Sequence, residues 1–557
     1  MAQANRLMAV VLTTAALLLP ASAAVAAPTA ADAAGGRHPA HARIAWAPCP
    51  QDATADCGTL KVPVNWARPH GPTFELALAR RKATNPAARI GSLVINPGGP
   101  GGSGVGTVLG RQRFTKQLTE RFDIVGFDPR GVGASNPVMC SSELLDAAPN
   151  RLLKSQAEFD RLAAYNRRLA ADCRARTGPV FDHVDTVSVV HDIDAIRAAL
   201  GDRKLSFFGV SYGTLMAQQY AELYPHRVRA LVLDSNMDHS LGTRAFLDTE
   251  SATAQDSFNE FVAGCARDER CALHGRDIRA FWANLLARAD RGELAGGEIG
   301  SLDLIGLTVG SFYGPNWLGL AEFLVALDTG VPPSEEQKRA VGADTMPGVV
   351  AKAKAWRQPA APEEPTPDAT HNPFAAVFCQ DWAVPVRDYR DFARHLERQR
   401  RIAPDVRFSP LALTAVTSCI GWPGRVNNPQ HRLRVSPVSP TLLMVNALHD
   451  PATAYQWAVN AARQIGREAV LLTYEGWGHG VYGREPCATG AIDRYLVAGT
   501  LPARGTRCAG VLPQPPAEPG RRAAAPERPP GPGPNIPGWF WGACRGGSER
   551  SQLAGPG

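Results

Sequence analysis

The sequence is short of several features that would each point to a function. It has no dense Lys/Arg block, and its net charge of +7 is small for 557 residues. Such a charge describes a solvated, slightly basic surface and gives no footing for a nucleic-acid partner. No C-x2-C pair occurs among its 11 cysteines, so a zinc cluster is not expected, and no metal or other cofactor is implied. Beyond the N-terminal segment no apolar run reaches ~18 residues, so no membrane-spanning helix is expected. No internal repeat is visible, which sets repeat architectures aside.

What remains has globular composition, 45% hydrophobic and 20% charged, with length enough for a large core. The N-terminus, "MAQANRLMAVVLTTAALLLPASAAVAAP", puts Arg6 ahead of an apolar run from Leu7 to Leu19. Small residues follow at Ala24-Val25-Ala26. This is signal-peptide architecture over residues 1–26, so the chain is expected to be secreted, with no stable membrane insertion after cleavage. A flexible segment is expected over 27–43. Export fits the cysteines, because oxidising compartments favour disulfides. Sequence proximity suggests Cys49 with Cys57, Cys140 with Cys173, Cys265 with Cys271, Cys379 with Cys419, and Cys487 with Cys508. Cys544 is left over.

From Phe74 to Leu233 apolar runs alternate with helical patterns. "FELALAR", "IGSLVIN", "FDIVGFD", "LSFFGVS" and "VRALVLDS" read as strands. "VSVVHDIDAIRAALG" and "YGTLMAQQYAELYP" read as helices, stopped by Gly201 and near Pro225. The alternation predicts an α/β fold with a mainly parallel central sheet over 44–236. Over 237–437 helical patterns dominate, which predicts a large, mainly helical lid insertion. A Pro/Glu-rich stretch, "RQPAAPEEPTPDAT", interrupts it. The α/β rhythm returns over 438–511 with "TLLMVNAL", "TAYQWAVNAARQIG", "EAVLLTYEG" and "ATGAIDRYLVAG". The Pro/Gly/Arg-rich tail, 512–557, cannot bury enough apolar surface to offset the entropy of ordering, and is expected to be disordered.

The chemistry centres on "FFGVSYGT". Gly209-Val210-Ser211-Tyr212-Gly213 is G-x-S-x-G between a strand and a helix, the context of a nucleophile elbow. A serine hydroxyl is a weak nucleophile and needs a base, which needs an orienting group. In this class the order is Ser, acid, His. "NALHDPATAY" puts Asp450 just past a strand, and "YEGWGHGVY" puts His479 in a glycine-bracketed loop after the next strand. One helix and one strand separate them, which brings both loops to one sheet edge. His449 competes for the base, but its place beside the acid suits that loop less well.

"NPGGPGGSG", Asn96 to Gly104, matches a dinucleotide fingerprint by letter, and Asp123 lies about 20 residues on. Pro100 interrupts it and has no N–H for phosphate, and a dehydrogenase leaves the elbow unexplained. The loop instead suits the second oxyanion donor of an acyl-transfer site, through Gly99 or Gly98, with Tyr212 as the first. In "VGFDPRGVGASNP", Asp128 and Arg130 read as a turn held by a partly buried ion pair.

"LVINPGGPGGSG", "VGFDPRGVGAS", "GVSYGT", "HDPATAY" and "GHGVY" together resemble the secreted tripeptidyl aminopeptidases of actinomycetes, α/β-hydrolases of the proline iminopeptidase group. The resemblance runs from about Ile44 to Val511 and includes a C-terminal module similar to the family's. It implies the α/β-hydrolase fold and a serine exopeptidase acting on peptides with a free N-terminus. The catalytic residues it implies are Ser211, Asp450 and His479, with Gly98, Gly99 and Tyr212 at the oxyanion hole. Pro97 stands where related peptidases have His. Asp238, Asp248, Glu250 and Asp381 in the insertion are candidates for holding the substrate ammonium. A secreted esterase or lactone hydrolase would use the same triad, and a non-catalytic binding protein on this scaffold would have no use for it.

Overall fold

A computed structural model of the chain describes residues 43–110, 113–331, 333, 334, 337, 338, 341 and 368–513. The expected signal peptide, Cys544, nearly all of 27–43 and of the tail, and most of the Pro/Glu-rich stretch lie outside the described residues.

The strands are β1 (Ala47–Cys49), β2 (Asp52–Pro63), β3 (Thr73–Arg81), β4 (Gly91–Asn96), β5 (Phe122–Phe127), β6 (Met139–Ser141), β7 (Leu205–Val210), β8 (Val228–Asp234), β9 (Ala369–His371), β10 (Leu442–His449), β11 (Ala469–Trp477) and β12 (Arg507–Cys508). Ten of them form one sheet in the order β1-β2-β3-β5-β4-β7-β8-β10-β11-β12. The pairings from β5 to β12 are parallel, and the β1, β2, β3 flank is antiparallel. β6 and β9 pair separately.

The central strands are apolar runs because both faces are covered. Every residue of β4 and β5 is buried. Alternate residues feed opposite layers, as the period of two requires. Val94, Phe207 and Leu233 enter one hydrophobic cluster, and Leu93, Ile95, Phe208 and Val232 enter the other.

The longer helices are α1 (Gly104–Leu109), α2 (Gln156–Thr177), α3 (Thr186–Ala199), α4 (Tyr212–Leu223), α5 (Thr243–Arg267), α6 (Ile278–Asp290), α7 (Ser301–Ser311), α8 (Trp317–Thr329), α9 (Phe374–Asp381), α10 (Tyr389–Ile402), α11 (Pro410–Cys419), α12 (Tyr455–Ile465) and α13 (Pro486–Ala498). Capping explains where they start. Asp185 accepts from Ser188 N at 2.9 Å ahead of α3, and Ser409 accepts from Ala412 N at 3.2 Å ahead of α11. α3 stops just before Gly201, whose φ of 79° favours glycine. Between β8 and β10 the secondary structure of the described residues is helical, α5 to α11, apart from β9. All five expected disulfides are formed, and Cys379–Cys419 joins α9 to α11 within that insertion. Among the described residues no helix is long and apolar enough to cross a membrane.

Candidate active site

Because β4, β7, β8, β10 and β11 run parallel, their carboxyl ends share one edge, where an open α/β sheet carries its site. Ser211 stands between β7 and α4 with φ 58° and ψ −126°, a strained conformation for a non-glycine residue. The positions two residues to either side leave no room for a side chain. A Cβ on Gly209 would lie 2.4 Å from Gly213 O, and one on Gly213 would lie 2.7 Å from Asn96 O. The turn is fixed by Ser211 N donating to Asp234 O at 2.9 Å. Thr214 N and Oγ1 donate to Ser211 O at 2.9 and 2.6 Å.

Asp450 follows β10 and is fully buried. Its Oδ1 accepts from the N–H groups of Ala452 and Thr453, both at 2.9 Å, and Oδ2 accepts from Thr453 Oγ1 at 2.9 Å. Both oxygens face His479 Nδ1, at 3.0 and 3.1 Å. Burial acts to raise this carboxyl. His479 and the two N–H donors outweigh it and hold the group below the ordinary carboxylate value. His479 Nδ1 is thereby committed to the acid. Its Nε2 is buried and has no partner among the described residues. Nε2 makes no hydrogen bond to Ser211 Oγ.

The histidine loop is tied down by residues that the sequence alone did not single out. Asp234, the last residue of β8, accepts from Val481 N at 2.8 Å and Tyr482 N at 3.0 Å, and Ser235 Oγ accepts from Gly480 N at 2.8 Å. Asp234 thus joins the Ser211 turn, through its carbonyl, to the histidine loop, through its carboxylate. Burial pushes that carboxyl up to about 6. Arg484 donates to the carbonyls of His479 and Tyr313, both at 2.8 Å, and to Gly480 O. Tyr313 O accepts from His479 N at 2.9 Å, and its ring lies 5.1 Å from the imidazole. The only signal for Asp234 was its place at the end of an apolar strand.

The glycine loop after β4 lies against the elbow. A Cβ on Gly98 would sit 2.4 Å from Val210 O, 2.8 Å from Tyr212 N and 2.9 Å from Ser211 Cβ. Gly98 N–H is already donated to Asn96 Oδ1 at 2.9 Å. The N–H groups of Gly99 and Tyr212 have no partner among the described residues. Of the two loop glycines considered, Gly99 therefore keeps the available donor. Gly98→Ala is expected to lower turnover of an activated ester by about 100-fold, comparable to loss of an oxyanion donor. A stopped assay on folded variant checks this, and full turnover would show that the loop does not need its contact with the elbow.

The rival residues are occupied elsewhere. Asp123 accepts from Ala83 N at 2.9 Å and pairs with Arg89 at 2.9 Å. His449 Nδ1 pairs with Asp256 at 2.8 Å. Asp128 and Arg130 do not form the expected ion pair. Asp128 is taken by Ser103 Oγ at 2.5 Å and Val105 N at 3.2 Å at the start of α1. Arg130 pairs with Asp192 of α3 at 2.6 Å, both side chains being fully buried. Among the described residues, Glu485, Cys487 and Cys508 bring possible metal ligands together. The two sulfurs form a disulfide and are not thiolates, and Glu485 caps α13.

Residues 91–300 match the family described as alpha/beta hydrolase fold, and residues 404–508 match the one described as TAP-like protein. The chain is 34% identical to the serine protease Hip1 of Mycobacterium tuberculosis, over 84% of this chain and 91% of that one. It is 30% identical to a tripeptidyl aminopeptidase of Streptomyces lividans, over 84% and 87%. It is 32% identical to a carboxylesterase B of M. tuberculosis, over 82% and 86%. On that likeness the chain belongs to the α/β-hydrolase family that holds the tripeptidyl aminopeptidases, and it is a serine hydrolase of that peptidase group.

Proposed function

We propose that the protein is a secreted serine exopeptidase that releases short peptides, tripeptides above all, from free N-termini through an acyl-enzyme. The observation that carries the chemistry is the buried Asp450–His479 pair, whose outer nitrogen is unpartnered at the sheet edge that presents Ser211. His479 Nε2 takes the proton as Ser211 Oγ attacks the scissile carbonyl. Asp450 fixes the imidazole tautomer and stabilises its positive charge. The N–H groups of Gly99 and Tyr212 receive the developing oxyanion. His479 then returns the proton to the leaving amine, and water releases the acyl product. Low solvent access strengthens each of these interactions.

Exopeptidase action needs a carboxylate for the substrate ammonium. Of the four candidates, Asp238 is filled by Ser240, Asn460 and Gln464, and Asp248 is paired with Arg398 and Arg244. Both oxygens of Asp381 are occupied by donors. Glu250 of α5 differs. Its Oε2 accepts from Ser409 Oγ at 2.9 Å, while Oε1 is buried with no partner among the described residues. Burial, reinforced by the nearby Asp450 charge, pushes its carboxyl well above the ordinary value. An arriving ammonium supplies the counter-charge that Glu250 lacks. Glu250→Gln is expected to lower kcat/KM for tripeptidyl anilides with a free N-terminus by about 10- to 100-fold, the value of a hydrogen bond to a charged group. Turnover of short acyl esters is expected to hold. Equal losses on both substrates would remove Glu250 from the ammonium site.

The likeness to carboxylesterase B favours a second reading, an esterase using the same residues. Peptidyl anilides with free and blocked N-termini, run beside short acyl esters, separate the two. Equal cleavage of free and blocked peptides would reject N-terminal capture.

A further inference from the structure

Asp381 closes α9 inside the insertion, is fully buried, and has four donors on its carboxylate. Thr186 N and Asn428 Nδ2 donate to Oδ1, each at 2.8 Å. Thr186 Oγ1 at 2.6 Å and Tyr212 OH at 2.7 Å donate to Oδ2. No Arg or Lys pairs with it among the described residues. His239 Nε2 meets only its main-chain carbonyl, at 2.7 Å. Burial, with the charge of Asp185 nearby, pushes this carboxyl up to about 7. A buried carboxylate without a cation is costly, and an apolar residue of similar volume is generally the more stable choice.

The partner that stands out is Tyr212. It is the first residue of α4, directly after Ser211, and its N–H is a candidate oxyanion donor. Its phenol donates to Asp381 and accepts from Trp382 Nε1 at 3.2 Å. Thr186 is the first residue of α3. One side chain from the insertion therefore grips the first turns of two core helices. Cys379, two residues before it, is bonded to Cys419 of α11, which anchors the gripping helix.

We infer that Asp381 is a positioning residue for the acyl-transfer step: through the Tyr212 phenol it holds the first turn of α4, and so the direction of the Tyr212 N–H towards the oxyanion. This inference rests on the proposed function for Ser211 and Tyr212 and extends it to a residue of the insertion. Its physical basis is that an oxyanion donor acts only when its direction is fixed before the charge develops. The elbow alone fixes Tyr212 at one end. The ring, held at its far end, removes the remaining rotation of that turn.

The test uses the full-length enzyme with Asp381→Asn, Tyr212→Phe and the double variant. Four quantities are read. These are kcat and KM on whichever acyl substrate the wild type turns over, peptidyl anilide or short ester, the affinity for a peptidyl aldehyde, whose hemiacetal oxygen occupies the oxyanion position, and the inhibition constant of the product peptide or acid. Each single variant is expected to lose about 10- to 100-fold in kcat, a part of what removal of a donor costs. The aldehyde should weaken by the same factor, with KM and product inhibition within about twofold. The double variant should be no worse than the poorer single one. Loss of kcat without loss of aldehyde affinity, additive losses, or a change confined to KM would overturn the inference. If Asp381→Asn does not fold, Tyr212→Phe, which keeps the ring and its packing, decides alone by the same readings. Ser211→Ala separates the two levels. If it retains turnover, the proposed chemistry fails. If it is inactive while Asp381→Asn matches wild type, only the positioning role fails.

Discussion

Ser211→Ala is expected to lower kcat by about 10^6-fold, the cost of losing the nucleophile in comparable triads. KM should change little, because the hydroxyl acts in the bond-making step and the substrate is held by other groups. The size follows from how much of the site serves this one oxygen. The Gly209 and Gly213 approaches, the strained φ of 58° and the bonds from Thr214 all hold it at the strand end. Turnover of a tripeptidyl anilide by purified variant, with fluorophosphonate labelling of intact and heat-denatured enzyme, checks it. Near-wild-type turnover, or labelling that survives denaturation, would remove Ser211 from the mechanism.

Asp450→Asn is expected to cost about 10^4-fold in kcat, because an amide in its place admits the wrong imidazole tautomer. The fold should survive, since Ala452 N and Thr453 N can still donate to the side-chain oxygen, and the hydroxyl of Thr453 can turn to accept from the new amide NH2. A pH signature goes with it. The folded-state carboxyl lies below its ordinary value. Its contribution to stability is therefore present above the unfolded carboxylate pKa of about 3.9 and is lost as pH falls through the lowered value. The stability gap between wild type and Asp450→Asn should shrink between pH 7 and pH 3 in denaturant titrations. A constant gap would mean that the carboxylate charge contributes nothing to the folded state.

The residues of the sheet and the candidate triad were legible in the sequence for local reasons. β4, β5, β7 and β8 are buried on both faces, so they stand out as apolar runs. Gly201 and Pro225 punctuate the helices that follow Asp185 and Ser211. Ser211, Asp450 and His479 each follow a strand, so parallel order alone carries them to one edge. Each of the five disulfides joins two consecutive cysteines. β1 and β2 were not legible, because "DATADCGTLKVP" is polar and its burial is irregular over the antiparallel flank. The partners of Arg130 and Tyr212 were also hidden. Asp192 lies 62 residues from Arg130, and Asp381 lies 169 from Tyr212. Such pairs are made by packing of distant segments and leave no periodicity. The role of Asp234 was missed for a similar reason, since its acceptors are spent on a loop 247 residues away.

The two flanks of the sheet carry a consequence for how the molecule behaves in company. A sheet ends in a row of unpaired N–H and C=O groups, and a long, flat row invites a strand from another chain. Among the described residues, β1 spans three residues and β12 two. Cys49–Cys57 fastens the first to β2, and Cys487–Cys508 fastens the second to α13. Each end strand is short, and its disulfide holds it to its neighbour. The end strands of the ten-stranded sheet thus offer another chain only two or three residues each to pair with.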